Sequence, residues 1–303
     1  MDIGIVITQM VELFIMLGAG FVLVRTKVLK EDFIAGLNSF VLNITMPLLI
    51  IGSVETEIPD GMPLGDILLM TALLVFGLPL IAIVLLKVLP IHKARGLVQF
   101  IIMYPNIGFM GFPLMRALYG DIAVLYTAIV NMIFNVSLFI AGDAIMAERK
   151  GLSFDLRQLL TPGMVASVLA VFLYAFRIMF PEWILVPLNS FGDMTTPLAM
   201  LIIGATLAGY RLKDVFGDWK IYVLVLFTSV VIPLLYIPVM KAPIHDPMVC
   251  GIGIIIAAMP AANATVLFAR KYHQPELMAS SAVCVSTLLS IVTIPLVIMI
   301  AGL

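Results

Sequence analysis

Apolar runs of about twenty residues recur along the whole chain, separated by short groups of charged and turn-forming residues. Each run is long enough to cross the ~30 Å hydrocarbon core of a bilayer as a helix. We number the predicted membrane-spanning helices as spans 1 to 10. They cover residues 3–24, 35–53, 66–89, 96–118, 121–146, 161–180, 184–208, 219–240, 247–269 and 277–301.

The composition favours a membrane protein over a soluble one. The chain is 62% hydrophobic and 12% charged, whereas a soluble domain is nearer ~45–50% apolar and ~25% charged. The net charge of −1 offers no general attraction for nucleic acid. Cys250 and Cys284 fall in apolar runs and form no metal motif, so we expect neither a metal nor a cofactor.

Lysine and arginine are unevenly divided between the two ends of the predicted spans. The loops after the odd-numbered spans hold 14 of the 17 basic residues, and the opposite side holds 3. Because basic loops stay on the cytoplasmic side, this predicts a multi-pass protein of the cytoplasmic membrane with both termini outside. We call the end with the 14 cations the basic face and the other end the opposite face.

Two similarities relate the halves of the chain to each other. LNSFVLNITMPLLIIG, from Leu37 in span 2, resembles LNSFGDMTTPLAMLIIG, from Leu188 in span 7. IIMYPN, from Ile101 in span 4, resembles IIAAMPAAN, from Ile255 in span 9. Each pair lies five spans apart, so the second half crosses the membrane in the opposite sense. Inverted repeats of this kind are typical of secondary transporters. The predicted repeats are residues 1–147 and 155–303.

Spans 4 and 9 each carry a proline and an asparagine near the membrane midplane, where neither suits a helix. The alternative to a functional break is a simple kink at each proline. A break frees amides at the positive end of the following half-helix, and such ends bind anions. Because the repeats are inverted, we expect the broken helices to cross and to form a substrate site. Its predicted residues are Asn106, Asn263, Pro105, Pro260, Ile107, Gly108 and Ala264.

Other polar residues fall inside the predicted spans. Asn131 and Asn135 share one face of span 5, which indicates either the wall of a substrate cavity or interhelical hydrogen bonding. Glu12 and Asp193 are intramembrane acids, which cost roughly 2.5–3.5 kcal/mol each, and they have either a coupling or a structural role. Asp143 is expected at a solvated helix end. Further candidates for the cavity wall are Asn38, Asn43, Thr45, Thr195 and Thr196.

The repeats, the motif PNxGFxGxP at residues 105–113 and PAAN at residues 260–263 followed by ARKY resemble the auxin efflux carrier family. The resemblance covers essentially the whole chain. It implies a fold like that of bile acid sodium symporters, with spans 1, 2, 6 and 7 as a scaffold and spans 3–5 and 8–10 as a transport domain. It also implies carboxylate binding at Asn106 and Asn263, and a homodimer formed through the scaffold.

Pattern and resemblance together predict one membrane transporter unit over residues 1–303 that moves a small organic anion, a carboxylate, by alternating access. A cation–proton or sodium-coupled exchanger is a second hypothesis, although spans 4, 5 and 9 lack a midplane carboxylate. A membrane-embedded sensor or enzyme is a third, although the chain has no HExxH zinc motif. Unlike the plant carriers of the family, the chain has only a short loop between its halves, and span 3 has no lysine before Lys87.

The charge distribution predicts that the loops around Glu57 and Lys150 lie on opposite sides of the membrane. In a background without Cys250 and Cys284, Glu57→Cys should react with an impermeant maleimide from outside, and Lys150→Cys from the cytoplasm. Labelling of intact cells and of inverted vesicles measures this. Reaction of both cysteines from the same side would contradict the ten-span topology.

Overall fold

The computed structural model describes residues 3–55, 61–88, 94–148 and 160–303, and these residues form helices and no strand. The loops around Glu57 and Lys150, on which the topology experiment relies, lie outside the described residues. The helices of eight or more residues are α1 (Ile3–Arg25), α2 (Asp32–Gly52), α3 (Leu64–Val88), α4 (Arg95–Met103), α5 (Phe112–Tyr119), α6 (Asp121–Met146), α7 (Pro162–Ala175), α8 (Glu182–Ala208), α9 (Trp219–Lys241), α10 (Pro247–Ala258), α11 (Ala264–Lys271) and α12 (Glu276–Ala301).

Seven of these helices are long and apolar enough to cross a membrane, namely α1, α2, α3, α6, α8, α9 and α12. The predicted class, an all-helical multi-pass membrane protein, is therefore confirmed. The other predicted spans correspond to shorter helices, because span 4 divides into α4 and α5 and span 9 divides into α10 and α11. The predicted end of span 6 at residue 180 is wrong. Helix α7 ends at Ala175, since Arg177 has a left-handed φ of 51° and the extended Pro181 follows.

The outer surface of the described helices is rich in large apolar side chains. Ile15, Phe76 and Leu80 are 67%, 74% and 63% exposed, and Val186 and Val292 are each 63% exposed. Monomeric soluble proteins rarely expose large contiguous apolar patches to water. Lipid is the solvent that suits this surface.

Helix α10 lies at the centre of the fold. Each of its residues from Val249 to Ala258 is buried, and it packs against α3, α6, α9 and α12. A helix that is apolar on all sides belongs in such a position. Gly253 lets the backbone of α10 approach its neighbours, since a Cβ there would lie 2.8 Å from the Cγ of Met70 on α3.

Helices α1 and α8 pack closely against each other, and two glycines make the approach possible. A Cβ added at Gly20 would lie 2.1 Å from the carbonyl oxygen of Leu201. A Cβ added at Gly204 would lie 1.8 Å from the carbonyl oxygen of Leu17. Because small residues bring helix backbones together in membranes, α1 and α8 are interlocked along their shared face.

This packing predicts different effects for two neighbouring glycines of α1. Gly20→Ala should destabilise the protein by about 1–3 kcal/mol, because the new methyl group overlaps the α8 backbone. Gly18→Ala is the matched control, since nothing lies within 4 Å of its Cβ position, and alanine is the better helix former. Thermal unfolding of both purified variants in detergent measures the difference. Equal melting temperatures would contradict the interlocked packing.

Candidate functional site

The irregular segments between α4 and α5 and between α10 and α11 lie side by side and pair through their backbones. The Asn106 amide donates to the Pro260 carbonyl at 2.8 Å, and the Ala262 amide donates to the Tyr104 carbonyl at 3.1 Å. A backbone group left unpaired in hydrocarbon costs several kcal/mol, so each segment stabilises the break in the other. We call residues 104–106 and 259–263 the paired breaks.

A serine of α12 satisfies a further amide of the paired breaks. The Ala261 amide donates to the buried Ser286 Oγ at 3.1 Å, and Ser286 in turn donates to the Val283 carbonyl. Pro105 and Pro260 have no amide hydrogen and so add no donor that needs a partner. Sequence reasoning missed Ser286, because nothing in the pattern distinguishes it from the other serines and threonines of the same helix.

A cavity of about 380 Å³ adjoins the paired breaks. Its walls come from the first half of α2, the start of α7, the second half of α6 and the N-terminal part of α11. In the predicted topology these parts of the helices lie between the midplane and the basic face. The cavity therefore lies on the basic-face side of the paired breaks.

Asparagine dominates the polar part of the cavity wall. Six of the seven asparagines of the chain line the cavity, and none of the described lining residues is charged. The seventh, Asn189, lies on α8 against Gly52. The six lining residues are Asn38, Asn43, Asn106, Asn131, Asn135 and Asn263.

The structure brings together eight of the nine residues predicted for the substrate site. The exception is Pro260, which is absent from the described cavity wall and whose carbonyl accepts the Asn106 amide. Three other wall candidates, Thr45, Thr195 and Thr196, are also absent from the described lining. The eight residues in the wall are Pro105, Asn106, Ile107, Gly108, Asn131, Asn135, Asn263 and Ala264.

Asn106 presents a hydrogen-bond donor at the cavity. Its side chain is buried, with the residue only 3% exposed, and its Oδ1 accepts from the Phe109 amide at 3.2 Å. Within the described part of the chain its Nδ2 has no hydrogen-bond partner. A buried donor without a partner is costly, so this amide is suited to a ligand that brings an acceptor.

Three single π-helical turns border the cavity. They cover Val41–Thr45 in α2, Ile107–Gly111 before α5 and Leu138–Gly142 in α6. Each contributes at least two residues to the cavity wall. Isolated π turns inside helices are frequent at functional sites, because they widen the helix and shift the direction of its side chains.

The remaining wall is largely apolar. It includes Leu42 and Met46 from α2, Phe134 and Phe139 from α6, and Leu267 from α11. A wall that combines amide groups with hydrocarbon suits a ligand with a polar group and an apolar body. Pockets of this mixed kind are typical of small-molecule sites.

The prediction that Asp143 is a solvated helix end is wrong. Asp143 is 5% exposed and accepts hydrogen bonds from the Tyr272 hydroxyl and, at 2.9 Å, from Lys271 Nζ. The hydrogen bonds to Tyr272 and Asp143 raise the pKa of Lys271. Phe139 and Leu267 lie one helical turn before this pair and line the cavity. This ion pair, with a buried carboxylate and a lysine that is 52% exposed, therefore joins α6 to the end of α11 beside the cavity.

The two predicted intramembrane acids are not in the described cavity wall. Glu12 is exposed on the outer surface of α1. Asp193 lies at a bend in α8, where its Oδ1 is 2.6 Å from Arg116 Nη1. Arg116 also contacts Asp121, with 2.6 Å between Nε and Oδ1. The described residues contain no group of three or more side chains placed to hold a metal ion.

Comparison with known proteins adds two findings. A family model described as membrane transport protein matches residues 5–154 and 151–298, which is nearly the whole chain. The chain is also 22% identical over 284 residues to an uncharacterized transporter of Methanocaldococcus jannaschii. That alignment covers 89% of this chain and 90% of the relative.

Proposed function

This chain belongs to the membrane transport protein family, the auxin efflux carriers, and we propose that it moves a small organic carboxylate across the cytoplasmic membrane. The observation that carries the proposal is the cavity beside the paired breaks, with its six asparagines and no charged side chain in the described wall. Such a site can bind a polar group deep in the protein and exchange it with water on one side.

Two features make an anion the best partner for this site. Ile107 and Ala264 begin the half-helices that follow the paired breaks, and both line the cavity. The start of a helix carries about half a positive charge and attracts anions. Asn106 adds the donor Nδ2. Exchange of cations is less well supported, because no carboxylate is present in the described wall to bind them.

The same wall favours an acid with a single negative charge. One carboxylate can be held by asparagine amides and the two helix ends. A second carboxylate would lose its water without gaining a cationic partner, since the described wall has none. Leu42, Phe134 and Leu267 instead offer an apolar surface for the rest of the molecule. We therefore infer a monocarboxylate with an apolar body.

The architecture that supports transport is two inverted five-helix repeats. We assign α1, α2, α7 and α8 to a scaffold, in which α1 and α8 are interlocked by Gly20 and Gly204. The other helices form a transport unit, in which the paired breaks tie α4 and α5 to α10 and α11. The cavity lies between the two units, with α2 and α7 on one side and α6 and α11 on the other. Movement of the transport unit against the scaffold would expose the site to each face in turn.

A homodimer formed through the scaffold accounts for the position of Glu12. Gly4, Thr8 and Glu12 lie four residues apart along one exposed face of α1. Glu12 is near the middle of the helix, where contact with lipid tails is unfavourable for a carboxylate. We propose that α1 of a second copy covers this face and supplies hydrogen bonds to Glu12.

The site assignment predicts that Asn106→Ala and Asn263→Ala each weaken binding of the substrate anion by roughly ten- to hundredfold, since each removes a hydrogen bond to a charged group. Asn106→Asp should bind an anion still more weakly, because it places like charges together. The ligand is found by a thermal-shift screen of C3–C6 mono- and dicarboxylates and indole acids. Uptake of that acid into proteoliposomes then distinguishes a transporter from a sensor.

Asn189→Ala is the matched control for these variants. Asn189 is the one asparagine outside the cavity of this structure, so its replacement should change affinity far less than theirs. Unchanged affinity in both Asn106→Ala and Asn263→Ala would place the site elsewhere. Tighter binding in Asn106→Asp would overturn the assignment to an anion.

The dimer proposal predicts that cysteines on the exposed face of α1 meet across a two-fold axis. In a background without the native cysteines, Thr8→Cys should form a disulfide-linked dimer in membranes under mild oxidation. Phe76→Cys on α3 is the control, because Phe76 is 74% exposed but belongs to the transport unit. Non-reducing gel electrophoresis measures the linked fraction. Equal linkage at both positions would contradict a dimer through α1.

A further inference from the structure

One ion pair among the described residues joins the scaffold to the transport unit. Arg116, on the last turn of α5, contacts Asp193 of α8 with 2.6 Å between Nη1 and Oδ1. Asp121, also in the transport unit, holds the Nε of the same guanidinium at 2.6 Å. The remaining ion pairs of the described residues, Lys271–Asp143 and Arg270–Glu276, lie within the transport unit, as does the 3.9 Å contact between His245 Nδ1 and Asp66 Oδ1.

The two partners come from different depths of their helices. Asp193 lies eleven residues after Glu182, where α8 begins at the opposite face, which corresponds to ~16 Å of helix. Arg116 lies three residues before Tyr119, where α5 ends at the same face, or ~5 Å. The long arginine side chain spans part of this difference in depth, and the remainder places the end of α5 below the start of α8, toward the basic face. This offset toward the basic face agrees with a cavity on the basic-face side of the paired breaks.

Comparison of the two repeats relates the position of Asp193 to that of a cavity residue in the first half of the chain. Asn43 and Asp193 each precede a proline of the related motifs by four residues, Pro47 in one and Pro197 in the other. Asn43 lines the cavity on the basic-face side. By the symmetry of the repeats, Asp193 takes the equivalent place in a cavity open to the opposite face. In this structure Arg116 is bound at that place.

We infer that the Arg116–Asp193 ion pair is a latch that holds the protein in the state open to the basic face. The inference rests on the alternating-access transport proposed above. Movement of the transport unit along α8 toward the opposite face carries Arg116 away from Asp193. The pair therefore exists in the state open to the basic face and is broken in the state open to the opposite face. The side chains of Arg116 and Asp193 are 28% and 58% exposed. Neither side chain is enclosed by protein, so the pair can separate without disrupting a packed core.

The test follows the accessibility of a cysteine at Gly108, deep in the cavity, where a Cβ meets only Met46 Cε at 3.9 Å. Gly108→Cys is placed in a background without Cys250 and Cys284, and the full-length protein is reconstituted in oriented vesicles. An impermeant maleimide is applied from each face, and the two labelling rates give a ratio. Arg116→Gln and Asp193→Asn should each shift this ratio toward the opposite face by about threefold to fivefold.

Asp121→Asn is the matched control. It removes an ion pair of the same length, but Asp121 and Arg116 lie in the same unit. Its ratio should stay near that of the parent, as should the ratio of Asp193→Glu, which keeps the cross-unit pair. Thermal unfolding of each variant shows whether the shift is independent of stability.

Two results would overturn the latch alone. The first is that Arg116→Gln and Asp193→Asn leave the ratio of labelling rates unchanged while Gly108→Cys still reacts from both faces. That result would contradict the latch but not alternating access. The second is an equal shift in Asp121→Asn, which would assign the effect to local stability. Reaction from one face in every variant would overturn both the latch and the proposed transport. Loss of acid binding in the asparagine variants tests the substrate site separately.

Discussion

The pairing of two broken backbones inside the protein is the interaction on which the rest of the structure depends. A membrane helix normally satisfies its own amides and carbonyls, and lipid offers no substitute when it is interrupted. Here the Asn106 amide and the Ala262 amide find carbonyls in the other break, and Ser286 serves the Ala261 amide. Neither break is stable without the other. Their mutual pairing places polar backbone and the starts of two half-helices next to one cavity.

The distribution of charge follows from the same constraint. The described cavity wall holds amides and apolar groups but no ion, because an unpaired charge at this depth would be expensive. The ion pairs of the described residues lie outside the cavity wall. Lys271 and Asp143 lie toward the basic face, and Arg116 lies with Asp121 and Asp193 toward the opposite face. In the proposed transporter, binding of the ligand in the cavity thus relies on dipoles, and the contacts around the cavity rely on ion pairs.

Residues that act locally were predictable from the sequence. Proline and asparagine inside an apolar run disturb any helix, so the breaks at Pro105 and Pro260 needed no knowledge of neighbouring helices. The four-residue spacing of Asn131 and Asn135 placed them on one face of α6, and they do share the cavity. Asp143 was misjudged for the converse reason. Its burial depends on Lys271 and Tyr272, more than a hundred residues away.

The sequence by itself determined the solvent, the helical class, the positions of the two breaks and the family. These depend on hydrophobicity, backbone propensity and spacing, which act within about one helix length. The tertiary structure decided which helices meet. It places six asparagines from four parts of the chain in the wall of one cavity. It also brings Ser286 to the Ala261 amide in the second break and Arg116 to Asp193. Such contacts join residues distant in sequence. They depend on how the helices pack, because hydrophobic patterning specifies that a face is buried but not which partner covers it.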